Sequence, residues 1–596
     1  METNQSEISH ADSDRMANRI STLVHSVYQN LSAEQSADLI QKIGDTLEEF
    51  SARYELPPQN ESSTNSASRL WSENDVVLIT YADQVSDGET PTLETLRKFL
   101  EGHCIADAIN LVHLLPFYPY SSDDGFSVID YYDLAPGIGS WEDVEQLNQS
   151  VDLMFDLVLN HCSKHNVWFK KFQMGDPDYA NYFHVVPEDT DVSLVTRPRS
   201  LPLLSPFPTT EGTKHVWTTF SDDQVDLNFA EPAVLLEFIR VLLFYIEQGA
   251  RIVRLDAVAF LWKSIGTTCI HLRETHEVIK LLRDVLDQVA PHVILLTETN
   301  VPHAENVSYF GDGDEAHMVY QFSLPPLLLD AFVHEDAMPL RDWLLELDPP
   351  PQGTTFFNFG ASHDGIGVRP LEGLLEPERI DSLVQKIRER GGLVGTRRKP
   401  DGTDSPYELN ISYFDAIVGN PDLDSETQVR KFLSTQAIIL SLPGIPGIYF
   451  HSLVGTPNDS EAAAESGIPR RINRRKYGFE ELTGILNDKQ SVQSKLFEKY
   501  LELIKTRTSQ AAFHPQGGCK VWSKAETESL GDPRLLVFER TSISGDQKVL
   551  VVINPTADSI RLNLSPSQSM LNVVSQETFH DQSDLVAYGF LWLSEV

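Results

Sequence analysis

The chain has 596 residues, 41% of them hydrophobic and 22% charged, the proportions of a globular protein with a sizeable core and not of a disordered or fibrous one. Its 87 acidic against 47 basic residues give a formal charge of -40, which argues against nucleic acid or an anionic membrane as the main partner. The four cysteines, Cys104, Cys162, Cys269 and Cys519, have no C-x-x-C spacing, so neither a disulfide framework nor a metal site is indicated.

The N-terminus is polar and acidic where a secretory signal would carry a basic start and an apolar run, and no stretch reaches about 18 apolar residues. A cytoplasmic protein without a membrane span is expected. Residues 14–55 place apolar side chains at helical spacing (Ile20, Leu23, Val24 and Val27, then Leu39, Ile40, Ile43 and Leu47), which predicts two amphipathic helices packed on the main body. Pro57, Pro58 and the polar stretch 60–68 read as a linker, so residues 1–68 form a helical extension.

Short β-rich runs then recur at 76–80, 108–114, 151–159, 251–256, 293–297, 318–322, 354–359 and 445–450, separated by longer segments with helical content such as 232–248 and 275–289. Eight such strands with intervening helices predict an α/β fold, a closed (β/α)8 TIM barrel over residues 69–514. Two connections are longer than a crossover needs. They are read as inserts, at about 165–230 and 368–432, at the C-terminal face of the barrel, where active sites form. Residues 515–596, with short β patterns at 535–539, 549–552, 560–564 and 590–593, predict an antiparallel β domain.

In a parallel barrel the reactive groups gather where strands end. Three carboxylates meet that test: Asp256 in RIVRLDAV, Glu298 in VILLTET, and Asp364 in FNFGASHDGIG. Arg254 lies two residues before Asp256, on the same face of a strand, placed to lower its pKa by charge pairing. Glu298 needs the opposite shift to act as an acid.

With DLVLNH from Asp156, these segments resemble the four signature regions of the α-amylase superfamily, glycoside hydrolase family 13, over roughly residues 75–477. The resemblance implies a retaining mechanism with Asp256 as nucleophile, Glu298 as general acid/base and Asp364 as the carboxylate that holds the sugar hydroxyls. It also implies sugar contacts from His161 and His363, and a clamp on the far side of one terminal glucose from Asp123, in SSDDGF with Phe126, and Arg474, in RINRRKY.

Other segments, including LPFYPYSSDDGF, TTFSDDQVDLN and HDGIGV, are similar to the sucrose phosphorylase subgroup. That likeness implies glucosyl transfer from a small α-glucoside to inorganic phosphate, with no cofactor and no metal. By it Arg199, in TRPRSLP, is the loop arginine that offsets the charge of phosphate, while Gln224 and Tyr407 are acceptor-site residues. The acceptor loop departs from sucrose phosphorylases: TDSPYELN puts Ser405, Pro406 and Glu408 at contacting positions, and Arg397, Arg398 and Lys399 lie nearby. Basic residues there suit an anionic acceptor, and the whole arrangement resembles the glucosylglycerate phosphorylase branch. A sucrose phosphorylase or hydrolase with the same three carboxylates is the alternative, and an inactive amylase-like binding protein a third reading. The partners expected are a small glucoside and phosphate, with no nucleic acid and no membrane, and room is left for a homodimer.

Overall fold

The computed structural model describes residues 18–57, 70–199, 201–398, 404–420, 422–564, 569–579 and 582–595. The expected linker 60–68 and Lys399 lie outside the described residues.

Eight parallel strands close into a barrel in chain order. They are β1 (Val77–Thr80), β2 (Leu111–Leu114), β3 (Asp152–Val158), β4 (Ala250–Asp256), β5 (Ile294–Thr297), β6 (Met318–Tyr320), β7 (Thr355–Phe359) and β8 (Ile445–Tyr449). Each falls within or one residue beyond a run read from the sequence. Strands buried on both faces need near-continuous apolar sequence, which VLIT and ILLT supply. β8 returns beside β1, pairing Val77 with Gly447, and a Cβ at Gly447 would collide with the ring of Phe357 inside the barrel. Glycine is required there by close approach.

The outer helices follow the same logic. Pro232–Glu247 has proline in its first turn and a Glu231 side-chain cap, and its buried residues run from Val234 to Ile246. Ala33–Arg53 opens with a Ser32–Gln35 capping box and buries Leu39, Ile43, Leu47 and Phe50. The N-terminal helices are tied to the barrel by Arg19 to Asp284 (2.7 Å), Arg53 to Glu247 (2.8 Å) and the Tyr28 hydroxyl donating to the Phe229 carbonyl (2.9 Å).

Within the insert after β3, Leu204–Thr209 and Gly212–Trp217 form a hairpin. Within the insert after β7, Leu393–Arg398 pairs with Asp404–Asn410, which also pairs with Ile366–Gly367 beside Asp364. At the C-terminal end an antiparallel six-stranded sheet runs from Gly518–Val521 to Thr578–Phe579, with a separate core around Val537, Val552, Leu562 and Leu593. No helix among the described residues is long and apolar enough to cross a membrane.

Candidate active site

Asp256 is the last residue of β4, and Ala257 beyond it adopts a left-handed turn (φ 50°), a conformation that costs a non-glycine residue roughly 1 kcal/mol or more. That turn directs the Ala257 N–H at Glu298 Oε2 (2.9 Å). Glu298 lies one residue beyond β5, whose Thr297 pairs with Leu255 of β4, so the two carboxylates leave neighbouring strands at one level. Asp364 arrives five residues after Phe359; its N–H donates to Ser362 Oγ (3.2 Å) and its carbonyl accepts from Asn473 (3.0 Å).

Below these groups runs a buried row of charge. His113 of β2 donates to Asp156 of β3 (2.7 Å), and Asp156 accepts from Arg254 of β4. Arg254 Nη1 also meets Asp256 Oδ1 at 2.8 Å, and its Nη2 lies 4.0 Å from Glu298 Oε2. A single guanidinium thus faces three carboxylates. Burial raises the Asp256 pKa well above the usual carboxylate range; Arg254 opposes the rise, and Glu298 and Asp156 add to it. Arg254 thus exerts the lowering pull expected from the sequence, but its charge is shared and burial outweighs it. Glu298 is also raised, first by burial and then by Asp364 against the pull of Arg254. The two carboxyls titrate as a pair. Arg254 is nearer to Asp256, which favours the proton on Glu298 and the charge on Asp256.

Both site histidines are held neutral by burial, His161 down to about 4 and His363 down to about 3, leaving uncharged rings that can hydrogen-bond hydroxyls. His161 donates to the Phe126 carbonyl (3.0 Å), and the Phe126 ring stacks on His363 at 4.7 Å between centroids. Asn160, whose side-chain amide lies 3.2 Å from His161 Nδ1, accepts from Lys263 (2.7 Å), whose ammonium also pairs with buried Asp226 at 2.7 Å. Lys263→Met leaves that carboxylate without its cation. Chemical denaturation should show a loss of about 3–5 kcal/mol, and a loss below about 1 kcal/mol would show the pair to be dispensable.

A cavity of about 330 Å³ gathers these groups. Asp123, Phe126, His161, Arg199, Gln224, Arg254, Asp256, Glu298, His363, Asp364, Arg397 and Tyr407 all line it, so most of the residues singled out from the sequence share one space. Among the described residues its wall holds six arginines (197, 199, 254, 369, 397 and 470) and four carboxylates, in a chain of net charge -40. Arg397 pairs with Glu372 (2.5 Å) while its buried Nε has no partner, and Arg199 reaches Asp123 only at 3.4 Å. Arg398 ends the strand that carries Arg397.

Arg474, expected to clamp the terminal glucose with Asp123, is not part of this wall: it bonds Asp124 (2.7 Å), donates to the His363 carbonyl (2.7 Å) and stands 3.8 Å from Asp364. Asp123 and Asp124 both have left-handed backbone, φ 54° and 48°, and this turn swings the second carboxylate toward Arg474. Arg470, which the sequence reading passed over, does line the cavity, and its Nη1 lies 2.6 Å from Asp364 Oδ1. Burial alone would raise Asp364, but Arg470, then His363 and Arg474, hold it well below the usual carboxylate range.

A model of the α-amylase catalytic domain matches residues 107–341. A glucosylglycerate phosphorylase from Spirochaeta thermophila is 49% identical over 481 residues, covering 80% of each chain. The chain belongs to the α-amylase family, among its glycoside phosphorylases. A family member named as a sucrose phosphorylase, from Agrobacterium vitis, is 32% identical over 74% of this chain and 89% of its own. The crystal structure of sucrose 6F-phosphate phosphorylase from Thermoanaerobacter thermosaccharolyticum superposes with a TM-score of 0.70 at 26% identity, over 87% of this chain and 99% of that one. The family's barrel is thus the frame on which β4, β5 and β7 deliver the three carboxylates.

Proposed function

We propose that the protein is a retaining phosphorylase that transfers glucose from α-glucosylglycerate to inorganic phosphate, releasing glycerate and α-glucose 1-phosphate. The observation that carries this reading is the arginine-rich wall of the cavity above a buried carboxylate pair. Both the leaving group and the incoming nucleophile are anions, and guanidinium groups suit carboxylate and phosphate alike. The identity to glucosylglycerate phosphorylase supports it.

In the first step Asp256 attacks the anomeric carbon, the bond from C1 to the glycerate oxygen breaks, and the Glu298 proton passes to that oxygen. In the second, a phosphate oxygen attacks C1, the bond to Asp256 breaks, and Glu298 takes the phosphate proton. Two inversions give net retention. Neutral His161 and His363, with Asp364, hold the sugar hydroxyls, and Arg199, Arg369 and Arg397 receive the anion.

The test offers glucosylglycerate, sucrose, glucosylglycerol and sucrose 6-phosphate with phosphate and measures glucose 1-phosphate release. Glucosylglycerate should be preferred, and preference for sucrose would overturn the reading. In the reverse direction, Arg397→Ala should raise the KM for glycerate by about tenfold, the size of a lost charge-assisted contact, while leaving fructose nearly unchanged. Equal losses for both would make the hairpin structural.

A further inference from the structure

The strand Asp404–Asn410 sets Glu408 directly opposite Gly367, and a side chain at Gly365 would collide with the Glu408 stem. Gly365, beside Asp364, therefore admits Glu408 to the loop that carries that carboxylate. Glu408 grips one guanidinium with both of its oxygens, Oε1 to Arg470 Nη2 at 2.7 Å and Oε2 to Nε at 3.2 Å. A planar guanidinium held on one edge has its third nitrogen fixed in direction. That nitrogen, Nη1, is the one 2.6 Å from Asp364 Oδ1.

Asp364 depends on this contact. Its other neighbours stand off, the neutral His363 Nε2 at 3.5 Å and Arg474 Nη2 at 3.8 Å, and all three contacts fall on Oδ1. Oδ2 has no side-chain partner among the described residues and is available for a sugar hydroxyl. Without Glu408, Arg470 would keep its charge but lose its aim, and Asp364 would lose its one short anchor.

We propose that Glu408, on the acceptor hairpin, is a positioning residue for Asp364, acting through Arg470. The proposal rests on the glucosyl-transfer reading of this site. It makes the acceptor insert part of the machinery that stabilises the glucosyl transition state, so Glu408 should govern turnover even when no glycerate takes part.

The test uses an α-glucosyl fluoride with phosphate, measuring kcat and KM for the wild-type chain, Glu408→Gln, Glu408→Asp, Arg470→Met and the double variant Glu408→Gln/Arg470→Met. Glutamine should lower kcat by about tenfold, the loss of a charge-assisted clamp, with KM for the fluoride within about threefold. Aspartate, which keeps the charge, should recover most of the loss. Glu408→Gln should change kcat by less than about twofold once Arg470 is methionine, because residues acting in series are not additive. Independent, multiplying losses would overturn the proposal, as would an unchanged kcat for Glu408→Gln with only the KM for phosphate or glycerate altered. Wild-type turnover of the fluoride without phosphorolysis of glucosylglycerate would refute the substrate reading and leave this test standing.

Discussion

Asp256→Asn is expected to reduce glucosyl transfer by at least about 10⁴-fold with every donor, the scale on which loss of an enzymatic nucleophile is felt. An amide cannot form the acyl-linked glucosyl intermediate, and among the described residues no other carboxylate is placed to replace it. Glu298 is occupied by the Ala257 N–H at 2.9 Å, and Asp364 is tied to Arg470 at 2.6 Å. The fold should survive, because asparagine can still accept from Arg254 and the Asp156 contact to that guanidinium is untouched. Single-turnover measurement on a clean preparation checks this. Folded Asp256→Asn protein with more than a trace of activity would remove Asp256 from the mechanism.

The second large effect depends on the leaving group. Glu298→Gln should slow phosphorolysis of glucosylglycerate by about 10²–10⁴-fold, the range supplied by a positioned acid, because an alkoxide leaves poorly without a proton. Fluoride needs little protonation to leave, so kcat/KM for the fluoride, which reports the first step alone, should be largely spared. The pH profile supplies the sign. Burial and the Asp364 charge raise the Glu298 pKa, so the acid keeps its proton to higher pH than a free glutamate and activity on the glucoside falls as pH rises through that raised value. Glutamine has no proton to lose, so the alkaline limb should vanish from its fluoride profile. The acid limb, where Asp256 takes up a proton, should stay. Equal losses for glucoside and fluoride would count against the assignment.

The sequence made the barrel legible because strands buried on both faces leave little choice: LVHL and ILLT can hardly be anything but interior β structure between helical segments. The same geometry made the three carboxylates legible, since a strand end in a parallel barrel is a fixed address. Arg470 sits on a short turn, Pro469–Asn473, where no periodicity marks a direction, and its partners Glu408 and Asp364 are 62 or more residues away in the chain. Pairing over that distance is decided by packing alone. The Asp124–Arg474 pair was not legible for a local reason: two successive left-handed residues determine which carboxylate meets Arg474, and nothing in SSDDGF shows that twist. The balance at Asp256 was half legible: its neighbour in sequence revealed the pull of Arg254, while the burial that opposes it and the other claimants on that guanidinium come from different strands.

The cluster of arginines inside so acidic a molecule shapes how an anion arrives. Far from the cavity mouth, phosphate feels the summed repulsion of the surface; inside, it feels guanidinium groups at contact range. Mobile ions erase the first over about 8 Å at physiological ionic strength and barely touch the second. The energy profile of entry is then a low hill before a deep well, and dissolved salt flattens the hill first. Moderate ionic strength should thus quicken capture of the anion, inverting the slowing that salt imposes where attraction guides the approach.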